Sequence, residues 1–368
     1  MEVTTIGIDL AKSVFAVSGA DRRGKVVMRR QLRRAQVLEF MGQRAPCLVG
    51  MEACGGAHHW ARAMAKLGHE VRLLSPARVR PYRTSPNKHD RNDADAICEA
   101  VRRPDIRYVE VKSIAQQDLL ALHRVRALLM KQRIAQSNQI RALLHERGVV
   151  ARLGAAGLRQ ALTQALAAEN PELSGATGEL LLELSGWLRE SEQRIAAITR
   201  RIERAAKDDE RCARLMEIPG AGPLTASALV AMVGNAREFK SGRALSAYLG
   251  LTPRQHSSGG KTVMLGISKH GDRYLRTLLI HGARSLLYRN RRGAHPRAAW
   301  AARLCARRGP NVAAVALANH NARVLWALLT RGASYRPTPN GAVFPRVPPT
   351  VVRRAREGKL LINQSERS

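Results

Sequence analysis

Acidic side chains are scarce in this 368-residue chain: 29 Asp and Glu stand against 62 Lys and Arg, a formal net charge of +33. A charge of that size repels itself in a compact fold, so it argues for a polyanionic partner, nucleic acid first, bound with an affinity that falls steeply as salt rises. Cysteine is sparse too. Cys47, Cys54, Cys98, Cys212 and Cys305 form no C-x-x-C pair and are odd in number, which argues against a disulfide framework and a zinc knuckle and suits a reducing cytoplasm. No 18-residue uncharged apolar run occurs, and MEVTTIGIDLAKSV lacks the basic and long apolar stretches of a signal peptide. A soluble protein with no membrane partner is therefore expected. Apolar residues, by contrast, make up 45% of the chain, enough to fill the cores of two or three domains.

The first hundred residues alternate between strand and helix signals. TTIGIDL, SVFAVSGA and KVVMRRQL are short β-rich runs joined by turn-sized pieces, and a helix near RAQVLEFMGQR follows. The apolar run CLVGME, a helix through HHWARAMAKLG, the strand EVRLLSP and a helix beginning near KHDRNDADA complete the order βββαβαβα. RNase H-like nuclease domains use that order, with three antiparallel strands and later strands joined in parallel through crossover helices. The expected fold class is α/β plus α: an RNase H-like mixed-sheet domain over 1–111, a helical coiled-coil and oligomerisation region over 112–210, and a small, mainly helical domain over 211–334. A basic flexible tail is expected over 335–368, where RPTPNGAVFPRVPPTVVRRAREG has no usable apolar period.

The helical region rests on Leu181, Leu184, Leu188, Ile195, Ile198 and Ile202, which recur at steps of three, four or seven with Ser191 in the seam. Upstream of it, LLALHRVRALLMKQRIAQSNQIRALLHERG carries Arg124, Arg126, Arg133 and Arg141. These read equally as the solvated face of a packed helix or as phosphate contacts.

The acids that do occur are unevenly placed. Asp9 ends the first strand, on the face opposite Ile8, and Glu52 follows CLVGM at the C-terminal edge of a central strand, where open α/β sheets place ligands. Asp90 and Asp93, three apart, share a helix face, whereas Asp95 points elsewhere. Like charges held close repel, which calls for a cation between them. Four converging carboxylates make an oxygen-ligand site for two Mg²⁺ ions that would activate a nucleophile and stabilise a leaving oxygen in phosphodiester cleavage. The competing reading makes Asp90 and Asp93 N-cap and first-turn residues and Glu52 a strand-end surface acid.

Further on, IPGAGPLTA has the glycine pattern of a helix-hairpin-helix turn, in which Gly220 and Gly222 bring backbone N–H groups close to a phosphate. A plain glycine turn between packed helices is the alternative. QHSSGGK reads as a loop with two hydroxyls, Ser257 and Ser258, beside Arg254 and Lys261; Lys269 and Arg273 follow as further phosphate contacts.

In order, GIDLAKSVF, GMEACGGAHHWA, KHDRNDADA, IPGAGPLTA, YLGLTPRQHSSGGK and ISKHGDRYLRTLLIHGAR resemble the insertion-sequence 110 family of DEDD transposases, relatives of the Piv DNA invertases, over about residues 3 to 330. The resemblance implies a RuvC-like metal-binding tetrad of Asp9, Glu52, Asp90 and Asp93 that takes Mg²⁺, with Mn²⁺ able to substitute. It also implies a nucleophilic serine that joins covalently to DNA, for which Ser258 holds the family position with Ser257 beside it. Partners follow the same way: donor and target DNA, a bridge RNA pairing with both, and a dimer assembling to a tetramer in which one subunit's serine domain completes another's acidic site. The implied location is the bacterial cytoplasm, at the nucleoid. A metal-dependent junction resolvase or nuclease without serine chemistry is the rival, and a nonenzymatic nucleic-acid binder is a second.

Overall fold

In the computed structural model, the described residues are 2–83, 90–167, 173, 175–258, 261–289, 296–332 and 335; the tail expected after 335 lies outside them. The chain divides into two compact units, Met1–Ile114 and Ala115–Ser368.

The first unit is built on a six-stranded mixed sheet of order β3-β2-β1-β4-β5-β6. Its strands are β1 (Thr5–Asp9), β2 (Val14–Ala20), β3 (Val26–Arg33), β4 (Leu48–Glu52), β5 (Glu70–Leu74) and β6 (Tyr108–Val109), with helices α1 (Val37–Gly42), α2 (Ala57–Lys66), α3 (Pro76–Val79) and α4 (Asp90–Ala100). The first three strands pair antiparallel, β1, β4 and β5 run parallel, and β6 returns antiparallel. This mixed α/β arrangement is consistent with an RNase H-like domain.

Alternation along the strands separates the sheet's two faces. Ile6, Ile8, Val49 and Met51 bury against Trp60, Ala61 and Met64 of α2. On the other face Leu74 packs with Ala96, Ile97, Ala100 and Val101, in and just beyond α4. Helix and sheet meet there through glycine: a Cβ on Gly7 would lie 2.4 Å from the Ala94 carbonyl oxygen, and one on Gly50 would lie 2.8 Å from Val101 Cβ. Only a residue without a side chain lets the backbones approach this far.

The second unit is mostly helical: α5 (Ile114–His145, whose first residue closes the first unit), α6 (Gly154–Ala167), α7 (Ala176–Asp208), α8 (Glu210–Met216), α9 (Pro223–Val233), α10 (Gly242–Tyr248), α11 (Arg273–Arg289), α12 (Pro296–Arg308) and α13 (Pro310–Arg331). Of the α7 seam, Leu181 and Leu188 are buried against Ile140 and Leu144 of α5 and Leu158 and Leu162 of α6, within the same chain. Ser191 in that seam donates to Gln136 Oε1 at 3.1 Å. A second core joins α8, α9, α11 and α13. By length and composition α13 is apolar enough to cross a membrane, yet Leu317, Ala318, Ala322, Leu325 and Leu328 lie in that core.

The described residues of the QHSSGGK stretch, read from sequence as a loop, lie in paired strands instead. Strands β7 (Pro253–Ser258) and β8 (Lys261–Ile267) pair antiparallel, ending on Ser258↔Lys261. Two glycines between alternating segments are a hairpin signal, and here local pairing overrides the loop-like composition.

Candidate active site

The sheet register brings two of the four acids together. Ile8 pairs with Met51 across the parallel β1–β4 ladder, so one step further Asp9 and Glu52 stand level at neighbouring strand ends. Both positions share the sheet face of Gly7 and Gly50, the face that carries α4. Their charges meet at Cys54: burial first, then Glu52, then Asp9 pushes its thiol pKa up from the ordinary range.

The third acid comes from α4, which runs antiparallel to β1. Cys98 Sγ lies 3.7 Å from the Thr5 carbonyl oxygen, and Gly7 meets Ala94 one turn earlier in the helix. Continuing toward Asp9 therefore leads to the N-terminal turns of α4, where Asp93 is 5% exposed. Arg83 Nε lies 2.8 Å from Asp93 Oδ1, while that N–H is not aligned as a hydrogen bond to any acceptor among the described residues, so the contact is an ion pair. Asp90 opens α4; its side chain lies outside the described residues.

Asp95 is committed elsewhere, as its helical spacing from Asp93 predicts. It accepts from Ser18 Oγ at 2.5 Å and from Arg29 Nε and Nη2, the latter at 2.9 Å. This pair sits over β2 and β3, across the ladder from Gly7, which pairs with Ser18.

Carboxylate oxygens are the donor chemistry that a hard divalent cation takes. Among the described residues, however, no three His, Cys, Asp or Glu close into a metal-holding group, and Asp93 pairs with Arg83.

The hairpin bearing Ser258 projects from an anchored base. Gly250 and Gly271 adopt φ of +68° and +69°, allowing the chain on the two sides of the hairpin to touch: a Cβ on Gly271 would lie 1.8 Å from the Tyr248 carbonyl oxygen. Arg276, 8% exposed, donates from Nη1 to the Leu249 and His270 carbonyls at 3.0 and 2.8 Å. Asn319 Nδ2 holds the Leu251 carbonyl at 3.0 Å. The arm itself is open: Arg254, Gln255, His256 and Ser257 are exposed, as are Val263, Met264 and Leu265. The side chains of Ser258 and Lys261 lie outside the described residues.

The other basic positions differ from one another. Arg124, Lys269 and Arg273 are exposed, and Arg133 is half-buried. Arg126 donates to Thr199 Oγ1 at 2.8 Å, and Arg141 donates to the carbonyls of Ala151, Arg152 and Gly154, fastening the turn after α5. Gly220, at φ +91°, lies against the backbone of Gly282 in α11, and Gly222 N-caps α9. The positive φ and the close approach of the α8–α9 turn to α11 both call for glycine at 220. Arg83 and Arg276 carry no signal in the sequence, since nothing in RPYRTSP or GDRYLRT marks a side chain whose partner is distant.

A family model described as Transposase IS116/IS110/IS902 family matches residues 212–298, and a second, described as Transposase and carrying the DEDD and IS110 labels, matches residues 6–147. The chain is 51% identical to a probable family 20 transposase of Pseudomonas aeruginosa, over 92% of this chain and 100% of that one. It is 44% identical to the transposase for insertion sequence element IS1111A of Coxiella burnetii, over 91% and 92% of the two chains. It is also 40% identical to the transposase for insertion sequence element IS1328 of Yersinia enterocolitica, over 90% and 98%.

Proposed function

The chain belongs to the IS116/IS110/IS902 family of transposases, enzymes that cleave and transfer DNA, and on that premise we propose that it recombines strands by serine chemistry at a divalent-metal site. Asp9, Glu52, Asp90 and Asp93 hold the cation, Ser258 is the nucleophile, and an RNA from the chain's own element selects the DNA. The observation that carries this reading is the level placement of Asp9 and Glu52 on parallel strands, with α4 aiming its first turns at the same sheet edge.

A bound Mg²⁺, or Mn²⁺ in its place, would neutralise the phosphate and lower the pKa of the attacking hydroxyl. The chain's own groups do the rest. Strand-borne Asp9 and Glu52 fix two oxygen donors with little freedom to reorganise, and Asp93 supplies a third once Arg83 yields it. Ser258 attacks phosphorus, its Oγ–P bond replacing the bond to one strand's sugar oxygen, and the reverse exchange rejoins DNA to a new end. Arg254, Lys261, Lys269 and Arg273 neutralise flanking phosphates. The division of labour assigns the metal site to 1–111, a dimer and tetramer contact through the long helices to 112–210, the serine to 211–334, and backbone contact to the tail over 335–368.

The test is a strand-cleavage assay with element DNA, the element's noncoding RNA and Mg²⁺, read as a covalent protein–DNA adduct on a denaturing gel. Ser258→Ala abolishes the adduct and the cut; a variant that still cuts identifies a water-attacking nuclease instead. Asp9→Asn abolishes both as well, and an unchanged Asp9→Asn rules out the metal site. Recombination at full rate without RNA ends the guide reading.

A further inference from the structure

The proposed chemistry leaves one proton unassigned. A seryl hydroxyl that attacks phosphorus must release its proton, and the sugar oxygen that departs must gain one. The acids of the first unit are committed to a cation in this reading, so a separate carrier is required.

The β7–β8 ladder supplies a candidate. His256 pairs with Val263, Ser257 with Thr262, and Ser258 with Lys261. Residues two apart on a strand share a face, about 6–7 Å apart along it, within the span of an imidazole and a hydroxyl. Positions 256 and 258 therefore fall on one face of the ladder. Ser257 occupies the other, and its Oγ accepts a 2.8 Å hydrogen bond from Gln255 Nε2, as two same-face neighbours should. The register thus separates the two serines: 258 stands with a histidine, 257 with a glutamine. His256 is exposed on an arm whose base is fastened by Arg276 and Asn319, so it can meet a substrate without the hairpin rearranging.

We propose that His256 is a further catalytic residue, the proton carrier for Ser258. This rests on the serine reading above. In the forward step the Ser258 Oγ–H proton passes to a ring nitrogen of His256, the Oγ–P bond forms and the P–O bond to the sugar breaks. The imidazolium then returns that proton to the departing sugar oxygen, which leaves as a hydroxyl. No redox partner is involved, and religation runs the same transfers backward. A neutral imidazole suits the task because one nitrogen accepts while the ring, once protonated, donates. The competing role for an exposed histidine here is a cationic phosphate contact, which arginine would fill as well.

The experiment uses the full-length chain with element DNA, its noncoding RNA and Mg²⁺, and follows adduct formation and DNA affinity for His256→Ala, His256→Arg and Ser258→Ala beside the parent. His256→Ala is expected to slow the adduct by about 10²–10⁴-fold with DNA affinity unchanged. Added imidazole recovers part of that rate, and His256→Arg does not. The proposal is overturned if His256→Ala reacts at the parental rate, if imidazole restores nothing, or if affinity falls in step with rate and arginine restores both. Ser258→Ala separates the levels of the argument. An adduct formed without Ser258 sinks the serine reading itself; no adduct there, with His256→Ala at full rate, sinks only this inference.

Discussion

Replacing Gly7 with alanine sets a methyl carbon 2.4 Å from both the Ala94 carbonyl oxygen and the Cys98 amide nitrogen, and 2.8 Å from Cys98 Cα. All three are backbone atoms, so no flexible side chain can move aside. Ordinary contact begins near 3.4 Å, and α4 must retreat from β1 by about 1 Å. Overpacking of this kind costs about 1–3 kcal/mol, equivalent to a fall of roughly 4–12 °C in the melting temperature of a unit this size. Gly55 is the matched control: a Cβ there has nothing within 4 Å and its φ is not positive, so Gly55→Ala leaves stability unchanged or slightly raised. The assay is calorimetry on the full chain, with hydrogen exchange across α4 to assign the transition. Because α4 carries Asp93, Gly7→Ala also lowers strand cleavage by more than about tenfold under conditions where the chain is folded. A Gly7→Ala protein that melts with the parent, with α4 equally protected, refutes the close-packing argument and the site geometry drawn from it.

Other outcomes follow from the same contacts. Asp95→Asn, which loosens a partly exposed pair with Arg29, lowers stability by about 1 kcal/mol or less and leaves cleavage intact, whereas Asp93→Asn abolishes cleavage; a gel assay of the two separates them. Arg276→Met strands the buried Leu249 carbonyl and the part-buried His270 carbonyl and costs about 1–3 kcal/mol, visible as faster amide exchange at the β7–β8 base than at α9. His123, buried between Tyr274 and Ser227, has its pKa lowered to about 4, by burial first and Arg126 second. The unfolded chain, with an ordinary histidine near 6.5, binds that proton more readily. Stability of the second unit is therefore fully present above about pH 6.5 and falls as pH drops toward 4. His320, lowered to about 4 by burial and then by Arg297 and Arg323, adds to the slope, so His123→Gln flattens a urea-melt pH series without abolishing its trend.

Much of the first unit was legible because its signals are local. Period-two alternation in TTIGIDL and LVGME fixes which face Asp9 and Glu52 take, and parallel pairing then sets them level. The three-residue step from Asp90 to Asp93, against the two-residue step to Asp95, likewise foretold that Asp95 turns away, and Arg29 and Ser18 hold it. What stayed hidden depends on long-range partners. Arg83 and Asp93 are ten positions apart, and no periodicity links them. Arg126 and Arg141 read in sequence equally as a solvated helix face or as phosphate contacts, since a charged side chain carries no mark of the hydroxyl or carbonyl it will meet. QHSSGGK reads as a loop because serine and glycine dominate that short stretch, while the β7–β8 pairing is a property of two segments together.

The central proposal is that Asp9, Glu52, Asp90 and Asp93 together hold divalent metal. Mn²⁺ binding to the full chain, counted by electron paramagnetic resonance, tests it without relying on activity. Tight binding is expected in the parent and in Asp95→Asn, with loss in Asp9→Asn, Glu52→Gln and Asp93→Asn. Equal Mn²⁺ affinity in all five proteins would contradict the account.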